Sequence, residues 1–215
     1  YRNTLFYTFA GTLLNLIVTI PAAYSLSRKD MPGNKFLTMM FALTMFFGGG
    51  IVPTYLVYKQ LNLTNTIWSM LIPGAITMYN TVVCRTYFTN SIPYEMQEAG
   101  RIDGCSDLRI FTNIMLPLSK PIIAVLGLFY AVGHWNSYFN ALIYLSDINL
   151  YPLQLFLRNI LILGQMNDMM ELDAEAVQHH LYLMQLKESM KYGIIVVSAV
   201  PMLILYPFIQ KYFVK

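Results

Sequence analysis

Four of the eleven carboxylates lie in one polar run between two long apolar stretches, residues 91–117, where they could bind a partner or take part in catalysis. Near its start, Ser91 can cap a helix, Pro93 suits a first helical turn, and Glu95 stands where the helix dipole favours an anion. No serine or cysteine nucleophile stands beside a histidine at a recognisable catalytic spacing. The run therefore predicts a polar helical surface and not a nucleophilic centre.

The same run is divided into two helices. Gly104 lacks a Cβ and can take the left-handed conformation that ends a helix, after which Ser106 can cap the next one. We expect the second helix to carry an apolar face and to close at a proline, with the residues Ile110, Phe111, Ile114 and Pro117. The prediction is a compact helical pair held between two membrane spans.

The order of residues in this pair resembles the cytoplasmic loop of ABC importer permeases, in which a glutamate and two alanines precede a glycine and an Ile-x-Leu-Pro ending. Every spacing matches, and the one departure is Gly100 in place of the second alanine. The resemblance implies a coupling helix that fits a cleft on a cytosolic ATPase subunit. The ATPase-coupling residues that it implies are Glu95, Glu98, Ala99, Gly100, Asp103, Gly104, Ile114, Leu116 and Pro117. The segment Arg101-Ile102-Asp103-Gly104 is similar to the carbohydrate-uptake branch, especially its oligosaccharide importers.

The composition is that of an integral membrane protein. Hydrophobic residues make up 56% of the chain and charged residues only 12%, whereas charged residues approach a quarter of a soluble domain. The net charge of +3 is spread over the ends of apolar stretches, without a basic patch interleaved with aromatic residues. We therefore exclude nucleic acid as a partner and expect membrane lipid.

Hydropathy predicts an all-α polytopic fold with five visible spans, at residues 4–26, 36–58, 66–87, 118–145 and 190–213. Roughly nine of the 14 lysines and arginines fall on the side of residues 27–35 and 91–117, which places these loops in the cytosol. The resemblance implies one ABC type I transmembrane domain over residues 1–215, truncated at both ends, with six spans in the full-length protein. Residues 91–117 are then its cytoplasmic coupling loop and residues 146–189 an extracytoplasmic loop.

Polar and aromatic side chains inside the predicted spans are candidates for a sugar path, because aromatic faces stack on sugar rings and amides bind hydroxyl groups. These candidates are Trp135, Asn136, Tyr138 and Asn140, then Thr77, Tyr79 and Asn80, with Phe46 beside the Gly48–Gly50 run as a gate. Two other interpretations stay open. The aromatic residues can form an interfacial belt with amide bonds between helices, and the glycines can serve close helix packing.

Three further patterns have weaker interpretations. His179 and His180 are adjacent, so on a helix they point about 100° apart and cannot share a metal ion as an i, i+4 pair does. His134 is expected to be a hydrogen-bonded residue within a span. An apolar stretch at residues 150–163 is too short to cross a bilayer, which suggests an interfacial or re-entrant helix in a loop that touches a substrate-delivering protein.

Taken with the resemblance, these patterns imply a non-catalytic permease subunit in the inner membrane of a bacterium. Its implied partners are a second permease subunit, two ATP-binding cassette subunits and an extracytoplasmic sugar-binding protein. No cofactor is expected in this chain, because the ATPase would bind ATP and Mg²⁺. Two other classes remain open, a polytopic membrane enzyme and a secondary transporter or channel, although the intramembrane carboxylates that couple ions in secondary transporters are not visible.

Overall fold

The computed structural model describes residues 1–166, 192–201 and 203–204. All regular secondary structure in these residues is helical, which confirms the all-α prediction. Most of the last predicted span and much of the loop at residues 146–189, including His179 and His180, lie outside the described residues.

The helices follow one another with short connections. Their bounds are α1 (Arg2–Ser27), α2 (Asn34–Phe46), α3 (Ile51–Gln60), α4 (Trp68–Leu71), α5 (Met78–Ser91), α6 (Glu95–Ile102), α7 (Asp107–Ile110), a π-helical turn (Phe111–Met115), α8 (Leu116–Leu118), α9 (Lys120–Trp135), α10 (Tyr138–Tyr144), a 3-10 turn (Ile148–Leu150), α11 (Leu153–Met166) and α12 (Tyr192–Pro201).

Helix α1 is the one described helix that is long and apolar enough to cross a membrane unaided. Its 26 residues rise about 39 Å at 1.5 Å per residue. Two further spans are possible if bent pairs each count as one, namely α2 with α3, bent by 114°, and Asp107–Leu118 with α9, bent by 79°. Each of the spans predicted at residues 36–58, 66–87 and 118–145 is divided between two helices in the structure, namely α2 and α3, α4 and α5, and α9 and α10.

The first of these breaks lies at the predicted glycine run. Helix α2 ends at Phe46, and α3 begins after Gly50, whose φ of +81° is disfavoured for residues with a Cβ. A second break precedes α5, where Gly74 has φ +76°. A third separates α9 from α10 at Asn136 and Ser137.

Two apolar clusters hold the two ends of α1. Near its C-terminal end, side chains of α1 pack with α5, α9 and the segment at residues 107–118; the buried members include Tyr24, Phe88, Ile110, Met115 and Leu126. Near its N-terminal end, Tyr7 packs with residues of α4, α10 and α11, including Met70, Leu71, Ala141 and Leu155. Helix α1 is thus the centre of the described bundle.

The loops separate into two groups at opposite ends of α1. At one end, the Asn65 side-chain oxygen accepts hydrogen bonds from the backbone N–H groups of Ser146 and Asp147, at 2.9 and 2.8 Å. The Thr4 hydroxyl at that end accepts one from Leu153 N–H at 2.7 Å. At the other end, the loop after α1 contacts the segment after α5 through ion pairs.

A polar layer lies between the two clusters. The Asn15 side-chain amide donates to the carbonyl of Gly74 at 2.6 Å, and its oxygen lies 2.7 Å from His134 Nε2. The hydroxyls of Thr19 and Tyr130 are 2.7 Å apart. Polar groups in a membrane interior require such partners. His134 is therefore the hydrogen-bonded span residue that the sequence predicts.

Gly11 allows α1 to approach this histidine closely. A Cβ built on Gly11 would collide with His134 Cε1 and Nε2. The imidazole ring is rigid, so it could not yield without leaving Asn15. Small residues at helix contacts of membrane proteins serve the same purpose.

We expect Gly11→Ala to destabilise the protein by about 1–3 kcal/mol, because the new methyl group must displace the His134 ring. Gly127→Ala is the matched control on α9, since a Cβ there meets only Leu16 Cδ1 at 3.8 Å, an ordinary contact. The thermal unfolding midpoint of the purified protein in detergent measures both. Equal midpoints for the two variants would contradict the close contact.

Candidate functional site

The polar run forms the predicted pair of helices. Gly104 has φ +74°, and the backbone N–H groups of Gly104 and Cys105 donate to the carbonyls of Arg101 and Gly100 at 3.0 and 2.9 Å. These bonds satisfy carbonyls at the end of α6. The Ser106 hydroxyl then accepts from Arg109 N–H at 3.4 Å, so the predicted cap of the second helix is confirmed.

The start of the first helix differs from the prediction. Ser91 is the last residue of α5, and α6 begins at Glu95 after Tyr94, without a side-chain cap. The prediction that Ser91 caps the first helix is therefore wrong. The reason is Pro93, which biases the preceding residue away from helical geometry; Ile92 is extended, with φ −117° and ψ 115°.

The inner face of the pair packs around Gly100. A Cβ at Gly100 would lie 3.1 Å from Ile110 Cγ1 and 3.2 Å from Ile114 Cδ1, so the two isoleucines pack almost directly against the backbone of α6. Ile110 and Met115 are fully buried beneath this contact. The predicted apolar face of the second helix is confirmed, and it anchors the pair to α1, α5 and α9.

The outer face of the pair is exposed and mixed in character. Glu95, Glu98, Ala99 and Asp103 are exposed, and within the described part of the chain the carboxylates of both glutamates form no hydrogen bond or ion pair. Large apolar side chains lie beside them, namely Met96, Ile102 (86% exposed) and Leu108 (73% exposed). Exposed apolar groups rimmed by charge mark surfaces for protein partners.

The second helix ends one residue beyond the predicted proline, at Leu118. It widens into a π-helical turn, in which Leu116 N–H donates to the carbonyl of Phe111, five residues earlier. Pro117 has no N–H, and its ring would collide with a carbonyl in a regular α-helix, so the widened turn accommodates it. Leu116 is half-buried and Pro117 exposed.

Sequence reasoning missed four charged residues that join this pair to the loop after α1. Arg28 and Asp30 follow α1, whereas Arg101 and Asp107 belong to α6 and α7. Two ion pairs, Arg28–Asp107 and Arg101–Asp30, join the two segments. Their separation in the chain hides the contact. The available signal was that both segments were assigned to the cytosolic side.

The candidate path residues differ in burial and in their hydrogen-bond partners. Trp135 is buried, and its indole N–H donates to the carbonyl of Ser198 on α12 at 3.0 Å. Asn80 is also buried, and the Thr77 hydroxyl lies 3.4 Å from that of Tyr130.

The other candidates lie nearer the surface of the chain. Tyr79, Phe46 and Tyr138 are exposed, Asn136 is exposed with its amide donating to the carbonyl of Val132 at 3.0 Å, and Asn140 is half-buried. An exposed side chain is available to a path between two subunits, but burial alone does not identify a path. The role of these residues stays a prediction.

A family model described as binding-protein-dependent transport system inner membrane component matches residues 1–215. The chain is 40% identical over 214 residues to the polygalacturonan/rhamnogalacturonan transport system permease protein YtcP of Bacillus subtilis (strain 168), covering 99% of this chain and 72% of that protein. It is 30% identical over 218 residues to the melibiose/raffinose/stachyose import permease protein MelC of the same organism, covering 100% of this chain and 72% of that protein.

A solved structure has the same fold. It is the crystal structure of a bacterial ABC transporter involved in the import of the acidic polysaccharide alginate. One chain of it superposes with a TM-score of 0.83 at 34% sequence identity, covering 99% of this chain and 74% of that chain.

The packing around Gly100 predicts different effects for two substitutions. Gly100→Ala should change stability by less than about 1 kcal/mol, because the gain in helix propensity offsets the small shift required of flexible isoleucine side chains. Gly100→Val should destabilise by about 1–3 kcal/mol, because its two methyl groups must displace Ile110 and Ile114. Thermal unfolding midpoints test both. A valine variant as stable as the wild type would contradict this account of the inner face.

Proposed function

The chain belongs to the family of binding-protein-dependent transport system inner membrane components, and from this we propose that it is the permease subunit of an ATP-driven importer of oligosaccharides. Members of this family are components of transport systems and are not themselves catalysts. The oligosaccharide is proposed because a relative at 40% identity is named for polygalacturonan/rhamnogalacturonan transport and one at 30% identity for melibiose/raffinose/stachyose import.

One observation supports this proposal above the others. The helix pair α6–α7 presents an exposed surface of carboxylates and apolar side chains while its opposite face is buried against the spans. A surface that is exposed yet rigidly supported can receive force from a partner. The pair carries the residues that in ABC importer permeases form the coupling loop.

We propose that Glu98 is the carboxylate that anchors the ATPase, with Glu95 and Asp103 beside it. Ala99 and Gly100 allow close approach, and Gly104 sets the turn. The exposed Ile102 and Leu108 add apolar area at the same surface. Ile114, Leu116 and Pro117 fasten the pair to the spans.

Transport would proceed by alternating access. A separate pair of ATPase subunits hydrolyses ATP with Mg²⁺, and a second permease encloses the path with this chain. When the ATPase pair closes on ATP, the coupling helices move together and rock the spans from inward-open to outward-open, so that the docked binding protein releases its sugar. The ATPase drives the change because it binds the two states with different affinity.

We also propose a set of residues that line the substrate path. The exposed Tyr79, Tyr138 and Phe46 are available to a sugar between the two permeases. Trp135, with its indole bound to Ser198, would act by holding α9 against α12, and Asn136, Asn140, Thr77 and Asn80 complete the set. In this proposal the complex lies in the cytoplasmic membrane of a bacterium.

Glu98→Ala should sharply reduce retention of the ATPase by the purified permease without reducing the amount of permease. The side chain is exposed and has no partner within the described residues, so folding does not depend on it. Combining it with Gly104→Pro should deepen the loss, because proline cannot adopt the observed φ of +74°. Co-purification from membranes measures retention.

The matched control is Asn113→Ala, an exposed polar residue of the same helix pair that is not assigned to docking. It should retain the ATPase. Full retention by Glu98→Ala would contradict the docking surface. Solute uptake that persists in vesicles lacking any ATPase would favour the alternative of a secondary transporter.

The substrate class has a separate test. The binding protein encoded beside this subunit should carry an oligosaccharide when it is isolated, and mass spectrometry of the released ligand identifies it. An amino acid, a metal ion or a peptide in its place would contradict the sugar assignment while leaving the permease role intact.

A further inference from the structure

Four charged side chains form a closed ring at the end of α1 that carries the helix pair. Asp30 contacts both Arg28, at 2.6 Å, and Arg101. Asp107 likewise contacts Arg28, at 2.6 Å, and Arg101, at 3.7 Å. Positive and negative groups therefore alternate around the ring, and each one has two partners of opposite sign. We name Arg28, Asp30, Arg101 and Asp107 the charge ring.

The charge ring joins two parts of the chain that are far apart in sequence. Arg28 and Asp30 directly follow α1, Arg101 lies in the last turn of α6, and Asp107 is the first residue of α7. The ring thus contacts both helices of the coupling pair. Two separate attachment points fix the orientation of the pair and not only its distance from α1.

The α1 side of the ring is itself held firmly. The Asn34 side-chain amide donates to the carbonyls of Leu26 and Arg28 at 2.9 and 2.7 Å, and Arg85 Nε donates to Leu26 at 2.8 Å. These bonds satisfy carbonyls that a helix end leaves without partners. The loop that carries Arg28 therefore continues the rigid body of α1.

An open groove of about 590 Å³ lies beside the ring, between the end of α1 and the segment at residues 107–111. Arg28, Asp30 and Asp107 form its polar wall. Beneath them the Tyr24 and Phe111 side chains are in contact, with ring centroids 5.1 Å apart. Asp30 accepts hydrogen bonds from both Arg28 and Arg101, and hydrogen bonds between charged groups are directional, so the Asp30 side of the charge ring constrains the geometry across the groove.

The charges are stable at neutral pH. The Arg28 guanidinium, aided by Arg101, holds the pKa of the Asp30 carboxyl well below its usual range. Asp30 in turn raises the pKa of Arg28. The Arg28 side chain is only 12% exposed, so water screens this part of the ring less than an ordinary surface pair.

We propose that the charge ring positions the coupling pair on α1, so that a displacement of α6 and α7 by the ATPase moves α1 with them. This inference rests on the proposed function of the pair. An isolated surface ion pair adds little stability, but in this proposal a network of four linked ion pairs holds the two elements in one orientation, so that they move together. The polar layer of Asn15 and His134 then carries the movement from α1 to α9.

The test compares Arg101→Gln with Arg109→Gln in the complete transporter reconstituted in lipid vesicles. Both changes remove one arginine charge from the helix pair, but Arg109 is exposed and its side chain forms no ion pair within the described residues. The readout is the factor by which the binding protein, in the liganded form in which it is isolated, stimulates ATP hydrolysis. The amount of ATPase retained by each complex is measured beside it.

We expect Arg101→Gln to lower the stimulation factor by about fivefold or more, the low end of typical coupling between sites, with the amount of ATPase unchanged. Arg109→Gln should behave as the wild type. Equal stimulation factors in the two variants would overturn the proposal. So would a fall that only follows a loss of bound ATPase, because the ring would then serve docking or stability.

Two further measurements separate positioning from general damage. Because the ring acts as a unit, Asp30→Asn combined with Arg101→Gln should be no worse than either alone, and additive losses would contradict this. Reversing all four charges, with Arg28→Asp, Asp30→Arg, Arg101→Asp and Asp107→Arg, should restore stimulation, and a reversed ring that assembles without restoring it would count against the proposal. A wild-type complex that shows no stimulation would instead contradict the proposed function.

Discussion

The contact between the His134 ring and the bare backbone of Gly11 is the constraint on which the described bundle depends. It sets how closely α1 and α9 approach, and it places the imidazole where Asn15 can bind it. In a membrane interior, a polar group without a partner costs several kcal/mol, so this layer tolerates little misalignment. The apolar clusters on either side of this layer pack around α1, whose position against α9 the layer sets.

The loops at the two ends of α1 are held by different kinds of contact. At one end the Asn65 side-chain oxygen accepts hydrogen bonds from the backbone N–H groups of Ser146 and Asp147, and these bonds hold that turn in place. At the other end the connections are ionic, and the helix pair keeps its charged and apolar outer face free in the described chain. Such an arrangement suits a transporter in which a partner displaces the helix pair and the packed helices transmit that displacement.

The breaks in the predicted spans free backbone groups that other parts of the bundle must bind. A continuous helix satisfies its own backbone, whereas the breaks at Gly50, Gly74 and Asn136 leave groups that need other partners. One of them is used directly, since the Gly74 carbonyl accepts from Asn15. Helices α2 and α3 have no buried residues in the isolated chain, which suits surfaces that meet lipid or another subunit.

Local signals in the sequence determined the membrane class, the helical pair, its turn at Gly104 and the cap at Ser106, because hydropathy, chain conformation and capping depend on neighbouring residues. The order of residues around Glu98 also sufficed to indicate the family. The tertiary structure alone decided that Arg28 and Asp30 meet Arg101 and Asp107, that Gly11 receives His134 and that Trp135 binds α12. These contacts join residues far apart in the chain, and their geometry exists only once the helices have packed.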